Sequence, residues 1–551
     1  MLPEAVRKRI QKVVLFCLAT VTLFVTPHIN LDPFNVPKFL ILVVCGFTLL
    51  GFMAPFVRNF YNSEVRGVMI LSSLMVASLI VIFLVHRSPQ QLYGTYGRNT
   101  GLLAYIALIL IFMAIAIVSN QAFVGKVIYI LIITGAVNAI YGLIQWLGLD
   151  PIDGWINFYS PIQGTLGNPN FVSALLGIAS VASLGLALSN TGKIKRVMLF
   201  INVLISQFVV FVSDSIQGLL IFLIGFILIF YYRYLRNFRL IFLRYLYFAL
   251  CAILGIFGIL GLLNSGPFAK LLYTQSIEAR GYYWRAGINM TVENLFFGVG
   301  LDAYGDWFRY FREEKLVSKY GPDLVTNAAH NVFVDIASSG GLVLFIPYLL
   351  IIGLVIKSAI NILRNSKGYD VFGVVLVGCW LAYLVQSFVS INQLSIAMWG
   401  WALGALVIGY DHHRIKEDID AFESSRKKLS SVPASVIVTG SVGCIFGLII
   451  CIWPFTKDVS FVNALKSQDA LKVQQTAKKF PQNSYYYYYA AQILLQNKLP
   501  EESLEMSISA VKYNPRDYFA WKLILENPRS NLTLKEEAKA NLTFLDPQYQ
   551  D

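Results

Sequence analysis

The residues best able to do chemistry gather in one polar stretch between two apolar runs. It carries Glu278-Ala279-Arg280-Gly281-Tyr282-Tyr283-Trp284-Arg285, then Phe297-Gly298-Val299-Gly300-Leu301, then Asn327-Ala328-Ala329-His330-Asn331, with an apolar run containing Gly340-Gly341 following at once. The chain has five histidines. His28 and His86 end apolar runs, and His412 and His413 lie in a basic segment. His330 alone stands beside an amide at the lip of a run, where an imidazole can take a proton from a hydroxyl held at a membrane surface. The alternative for His330 is a helix-capping or structural role.

The elements that position this stretch are membrane helices. Of 551 residues 56% are hydrophobic and only 14% charged, with a mean hydropathy of +0.62. A soluble domain carries roughly 25% charged residues, so a string of soluble domains is excluded. Thirteen apolar runs, near 13–27, 39–57, 67–85, 102–118, 127–147, 171–188, 197–212, 218–231, 246–264, 332–356, 371–389, 394–410 and 435–453, are each about long enough to cross a ~30 Å hydrocarbon core. The first follows Arg7, Lys8, Arg9 and Lys12 without a convincing cleavage site and reads as an uncleaved span. With the N-terminus inside, the inner segments hold 22 lysines and arginines and the short outer loops 3. That asymmetry puts the C-terminus outside. The net charge of +13 sits between the runs rather than on one face of a soluble domain, which argues against nucleic acid. The six cysteines all lie in apolar runs, with neither metal-ligand nor disulfide spacing.

The expected fold class is therefore an all-α polytopic membrane protein. Its membrane domain is expected over 1–453, with a large outer loop at 265–331, and a small extracytoplasmic domain over 454–551. In the latter, Phe480-Pro481, Asn514-Pro515 and Asp546-Pro547 recur at a period near 34 with small residues such as Ala490-Ala491, Ala510 and Ala520 between them. This pattern resembles tetratricopeptide repeats; a plain helical hairpin is the simpler reading. Tyr485 to Tyr489 form a run of five tyrosines, either a carbohydrate-stacking surface or, at helical spacing, partly a packed core.

The ordered set Gly164-Thr165-Leu166-Gly167-Asn168-Pro169-Asn170, the Ser213-to-Gly218 turn, Arg280 with Tyr283-Trp284-Arg285, Phe297-Gly298-Val299-Gly300 and His330-Asn331 resembles the O-antigen ligase/polymerase superfamily. The likeness runs from about Asp32 to Tyr410. It implies a glycosyltransferase-C type enzyme that moves a glycan from an undecaprenyl-diphosphate-linked donor to an acceptor hydroxyl outside the cytoplasmic (inner) membrane, with inversion, and with no cofactor, metal or nucleotide sugar. Arg280 matches the family's loop arginine, and arginine's planar fork suits a diphosphate leaving group. His330 matches the family's proposed base. Arg285, Gln217, Arg98, Asn168, Asn170 and Asn331 are the expected substrate-binding residues, although Arg285 has Glu278 and Glu293 as competing partners. One departure is Ile216-Gln217, where many ligases carry an arginine; Gln217 can hydrogen-bond a phosphate but brings no charge, and Arg98 can supply it. A lipid-core, growing-glycan or protein acceptor all fit, so a Wzy-type polymerase and a protein O-oligosaccharyltransferase are the nearest alternatives, and 454–551 can recruit a protein partner. A lipid-linked oligosaccharide flippase would show matching halves and charges lining a path within the spans; no halves of matching hydropathy are seen, and the charges collect on one outer loop. A recruiting scaffold with an inactive membrane part sits poorly with the Arg280/His330 set.

Overall fold

The computed structural model describes residues 2–152, 162–366, 368–420 and 432–548. Every one of the thirteen apolar runs is helical there, and all helices and turns assemble without a strand among the described residues. Ten helices are long and apolar enough to cross a bilayer, with the shorter apolar helices Leu102–Val118 and Val371–Ser387 beside them. The remaining one, Glu4–Leu23, begins in the basic segment and buries Val6, Ile10, Val14 and Leu18, the spacing of a helix that turns one side to a bundle. The protein is an all-α, multi-pass membrane protein. Residues 421–431 of the basic segment after the twelfth run lie outside the described residues.

Burial sorts the helices. Leu102–Val118 and Pro169–Ala187 are buried almost throughout and form the middle of the bundle. Ile241–Leu262 buries only Gly261 and presents its Phe, Ile and Leu side chains outward, as a lipid-facing helix does. Small residues set the closest approach. Gly440, Gly443 and Gly447 of the Ala434–Lys466 helix meet the Asn35–Met53 helix, and a Cβ at Gly443 would stand 2.2 Å from the Phe47 carbonyl oxygen. Helices in lipid associate through such close backbone packing because water supplies no driving force between them.

Two glycine motifs of the sequence meet at one joint. The Val332–Asn365 helix is interrupted at Gly341, whose φ of 54° and ψ of −158° only glycine adopts readily. The interruption frees backbone groups, and the Leu295–Gly300 segment takes them. Val299 and Gly300 amides donate to the Ser338 and Ser339 carbonyls at 2.8 and 3.0 Å, while Leu342 and Val343 amides donate to Leu295 and Phe296 at 2.8 and 3.1 Å. A Cβ on Gly298 would lie 2.3 Å from the Ser338 oxygen. The 265–331 loop is thereby stitched into the helix that His330 precedes.

The last membrane helix does not stop where its charges begin. Ala434–Lys466 runs 33 residues, about 50 Å at 1.5 Å per residue, and carries Lys457 and Asp458 out of the apolar layer. Five helices follow: Ala470–Ala477, Ser484–Gln496, Pro500–Tyr513, Tyr518–Glu526 and Leu532–Leu545. Their core is built on Ala490, Ala491, Ala510, Ala520 and Ala538, all fully buried, which lets neighbouring helices pack closely. Buried charges fasten this module to the loops. Lys457 Nζ donates to the carbonyls of Ala477, Lys479 and Pro481 at 3.0, 2.9 and 2.7 Å. Asp458 accepts from the Tyr96 and Tyr486 hydroxyls at 2.7 Å each and from the Leu31 amide at 2.8 Å. Asp546 binds Arg309 and Arg312 of the outer loop at 3.1 and 2.6 Å. The module and the 265–331 loop thus lie on one side of the bundle.

Candidate active site

Arg280 and His330 come from two helices that pack on each other. Gln275–Glu293, capped by the Thr274 side chain, carries Arg280, Tyr283 and Arg285. It crosses the start of Val332–Asn365 so closely that a Cβ on Gly287 would lie 2.5 Å from Val334 Cγ1. His330 sits at φ 55°, just ahead of that helix. The turn is held from both sides: the Asn331 side chain caps the helix by accepting from the Phe333 and Val334 amides at 3.0 and 3.3 Å, and Asp335 accepts from the Ala329 amide at 2.7 Å. The His330 ring lies 5.7 Å from the Tyr283 ring, and Tyr283 is fixed in turn by its carbonyl, which accepts from the Tyr304 hydroxyl at 2.6 Å.

Electrostatics distinguish the two residues from their neighbours. Arg285 pairs with Glu313 at 2.5 Å, rather than with Glu278 or Glu293, and Glu278 takes Lys319 at 2.5 Å. Arg309 and Arg312 share Asp546. Arg280, half-buried, is the one arginine of the loop with neither a carboxylate partner nor a hydrogen bond among the described residues, and burial lowers its pKa. A cation kept there without a counter-charge is costly unless an anion arrives. His330 is pushed down to about 3 by burial first, then by Arg280 and Arg98, so its imidazole is neutral in the unliganded protein. It lines a cavity of about 660 Å³ that opens between the 265–331 loop and the C-terminal helices.

The other residues expected from sequence have different placements. Arg98 pairs with the buried Asp302 at 3.3 Å and donates to the Asn327 carbonyl, so it braces the segment that leads into His330. Asn168 caps Pro169–Ala187 by accepting from the Asn170 amide at 2.9 Å. Asn170 accepts from the Ser215 hydroxyl at 2.8 Å, and Gln217 Nε2 donates to the Asn170 carbonyl at 3.4 Å. Gln217 Oε1 is buried without a partner. None of these three lines the cavity at His330. Sequence reasoning missed Tyr283 as the ring beside His330 and Asp302 as the brace of Arg98, although Asp302 directly follows the Gly298–Leu301 motif. It also missed Lys38, fully buried and donating to the Thr165 carbonyl at 2.5 Å, which ties down the Gly164–Asn170 loop.

Residues 200–349 match a family model described as O-antigen ligase. This stretch is similar to O-antigen ligases. The matched stretch contains Gln217, Arg280, Arg285, His330 and Asn331 and ends just past the Gly341 interruption, while Arg98, Asn168 and Asn170 precede it. The match supports membership of the O-antigen ligase/polymerase superfamily and, with it, glycan transfer in general terms. No curated protein matches the chain.

Proposed function

We propose that the protein transfers a glycan from an undecaprenyl-diphosphate-linked donor to an acceptor hydroxyl on the outer face of the cytoplasmic membrane. The observation that carries this reading is the pairing of an uncompensated guanidinium, Arg280, with a neutral imidazole, His330, which lines a cavity. In the proposed step the acceptor hydroxyl gives its proton to His330 while its oxygen attacks the anomeric carbon. The bond from that carbon to the phosphate oxygen breaks, its electron pair goes to the diphosphate, and Arg280 holds the growing charge with two parallel N–H donors. Attack opposite the leaving group inverts the anomeric carbon. His330 then passes its proton to solvent or to the released diphosphate.

The same electrostatics link donor binding to base strength. Without donor, Arg280 disfavours an imidazolium and His330 is a weak base. A bound diphosphate offsets that field and raises the imidazole's affinity for a proton. Glycosyltransferase-C type architecture, an N-terminus inside and an extracytoplasmic C-terminal module are part of this proposal. Support for the orientation comes from the basic-residue asymmetry and from the contact of the module with the 265–331 loop. The test is reconstitution in liposomes with an undecaprenyl-diphosphate oligosaccharide, following release of undecaprenyl diphosphate. Arg280→Lys keeps charge but loses the bidentate fork and should slow release on the order of 10²-fold or more. Release at the wild-type rate in that variant rejects the leaving-group role.

A further inference from the structure

The cavity beside His330 has two unlike walls. One comes from the outer loops; the other from the C-terminal helices, which supply Tyr485 and Tyr488 from Ser484–Gln496 and Phe519 from Tyr518–Glu526. Its volume of about 660 Å³ falls inside the ~300–1,000 Å³ of small-ligand sites. The tyrosine run divides by helical position. Tyr486 and Tyr487 are packed in the module core, whereas Tyr485 and Tyr488 reach the cavity. Tyr485 is already stacked with Tyr96 at 4.2 Å and with Tyr489 at 6.1 Å. Tyr488 and Phe519 stand 6.0 Å apart at 39°, and Phe519 is 42% exposed, so these rings retain surface for a ligand.

The polar lining offers both donors and acceptors. Asn514 Nδ2 donates to Asp306 at 3.0 Å, and the Ser484 hydroxyl donates to Asp517. Arg516 lies 3.1 Å over the Trp307 ring, with a buried Nη1 that has no hydrogen-bond partner. Ring surface next to carboxylates, amides and one spare guanidinium donor matches a pyranose, which has an apolar C–H face and a rim of hydroxyls. Arg280 does not line this cavity, although it is close enough to act on His330. His330 therefore lies between a free cation and a sugar-like lining.

We propose that the C-terminal module and the outer loop together form a saccharide subsite for the acceptor, with Tyr488 and Phe519 as its stacking surface, which delivers a sugar hydroxyl to His330. This rests on the transferase reading and narrows it to a carbohydrate acceptor. The test uses the full-length protein in nanodiscs on an array printed with bacterial lipopolysaccharide-core and capsular oligosaccharides and with Ser/Thr-rich peptides. Oligosaccharide capture is expected, weakened about tenfold by Tyr488→Ala and by Phe519→Ala. Tyr488→Phe, which keeps the ring, and Arg280→Lys should bind as wild type. Capture of peptides but no oligosaccharide, no capture at all, or undiminished capture by the alanine variants overturns the subsite. So does loss in Tyr488→Phe equal to that in Tyr488→Ala. Capture needs no donor, so the two ideas fail separately. Oligosaccharide binding without transfer rejects the transferase reading alone, and transfer with an unchanged acceptor KM in Tyr488→Ala and Phe519→Ala rejects the subsite alone.

Discussion

Asp546→Asn should loosen the C-terminal module from the outer loop. Asp546 Oδ2 holds Arg309 at 3.1 Å and Arg312 at 2.6 Å, and the three side chains are 1%, 7% and 0% exposed. Asparagine keeps the shape but removes the only carboxylate that either arginine touches among the described residues, leaving two guanidiniums buried without that counter-charge. Removing one partner of a buried ion pair costs about 3–5 kcal/mol. At about 1.4 kcal/mol per factor of ten, the undocked population should rise roughly 10²- to 10⁴-fold. Contacts elsewhere persist, since Asp458 still accepts from Tyr96, while within the loop both arginines keep donating to the Pro322 carbonyl at 3.0 and 2.7 Å. Hydrogen exchange of the protein in nanodiscs should therefore show faster exchange in Leu532–Leu545 and Tyr304–Phe311, with the membrane helices unchanged. Unaltered protection of both segments in a variant that lacks the charge would refute the idea that this triad holds the module in place.

The pH dependence of turnover should separate free from donor-bound enzyme. Because His330 is held near 3 without donor, lowering pH from 8 to 5 leaves it neutral, and kcat/KM should show no limb from this residue. Bound diphosphate raises its pKa, so kcat should fall first as pH drops; coincident limbs near 6.5 would contradict the coupling. Arg98→Gln leaves Asp302 buried and unpaired and should lower the melting temperature and turnover; adding Asp302→Asn should recover much of the stability, since removing both charges costs less than orphaning one. Activity reporters placed in the 313–321 segment and after the last residue should read the same, outer side, and opposite readings would break the link between Asp546 and the loop.

The helices were legible because each apolar run is about one bilayer long and the turns between them are polar. The end of the last long helix was not, since Lys457 and Asp458 look like the start of a soluble segment. They are buried instead, one on three carbonyls and the other on two tyrosine hydroxyls and an amide. Arg280 and His330 could be picked out by residue type and by order along the chain. What separates Arg280 from Arg285 could not: both are arginines on one helix, and the difference is Glu313, which the fold brings to Arg285 from 28 positions away. The roles of Asn168 and Asn331 as caps follow from their places just before Pro169 and Val332, a signal present in the sequence. The cavity was hidden because its walls, His330 and Tyr488 among them, meet only when the module folds back on the loop. The tyrosine run divides as a helical period requires: Tyr486 and Tyr487 pack in the module core, and Tyr488 lines the cavity.

The central claim is that His330 takes the acceptor's proton, and its most direct test pairs donor affinity with turnover in His330→Ala and His330→Gln. Donor affinity should stay near wild type in both, because Arg280 is untouched. Turnover should fall roughly 10²- to 10⁴-fold in both, since glutamine can hydrogen-bond the hydroxyl but cannot accept its proton. Wild-type turnover in His330→Gln would contradict the account and leave His330 as a residue that only positions the acceptor.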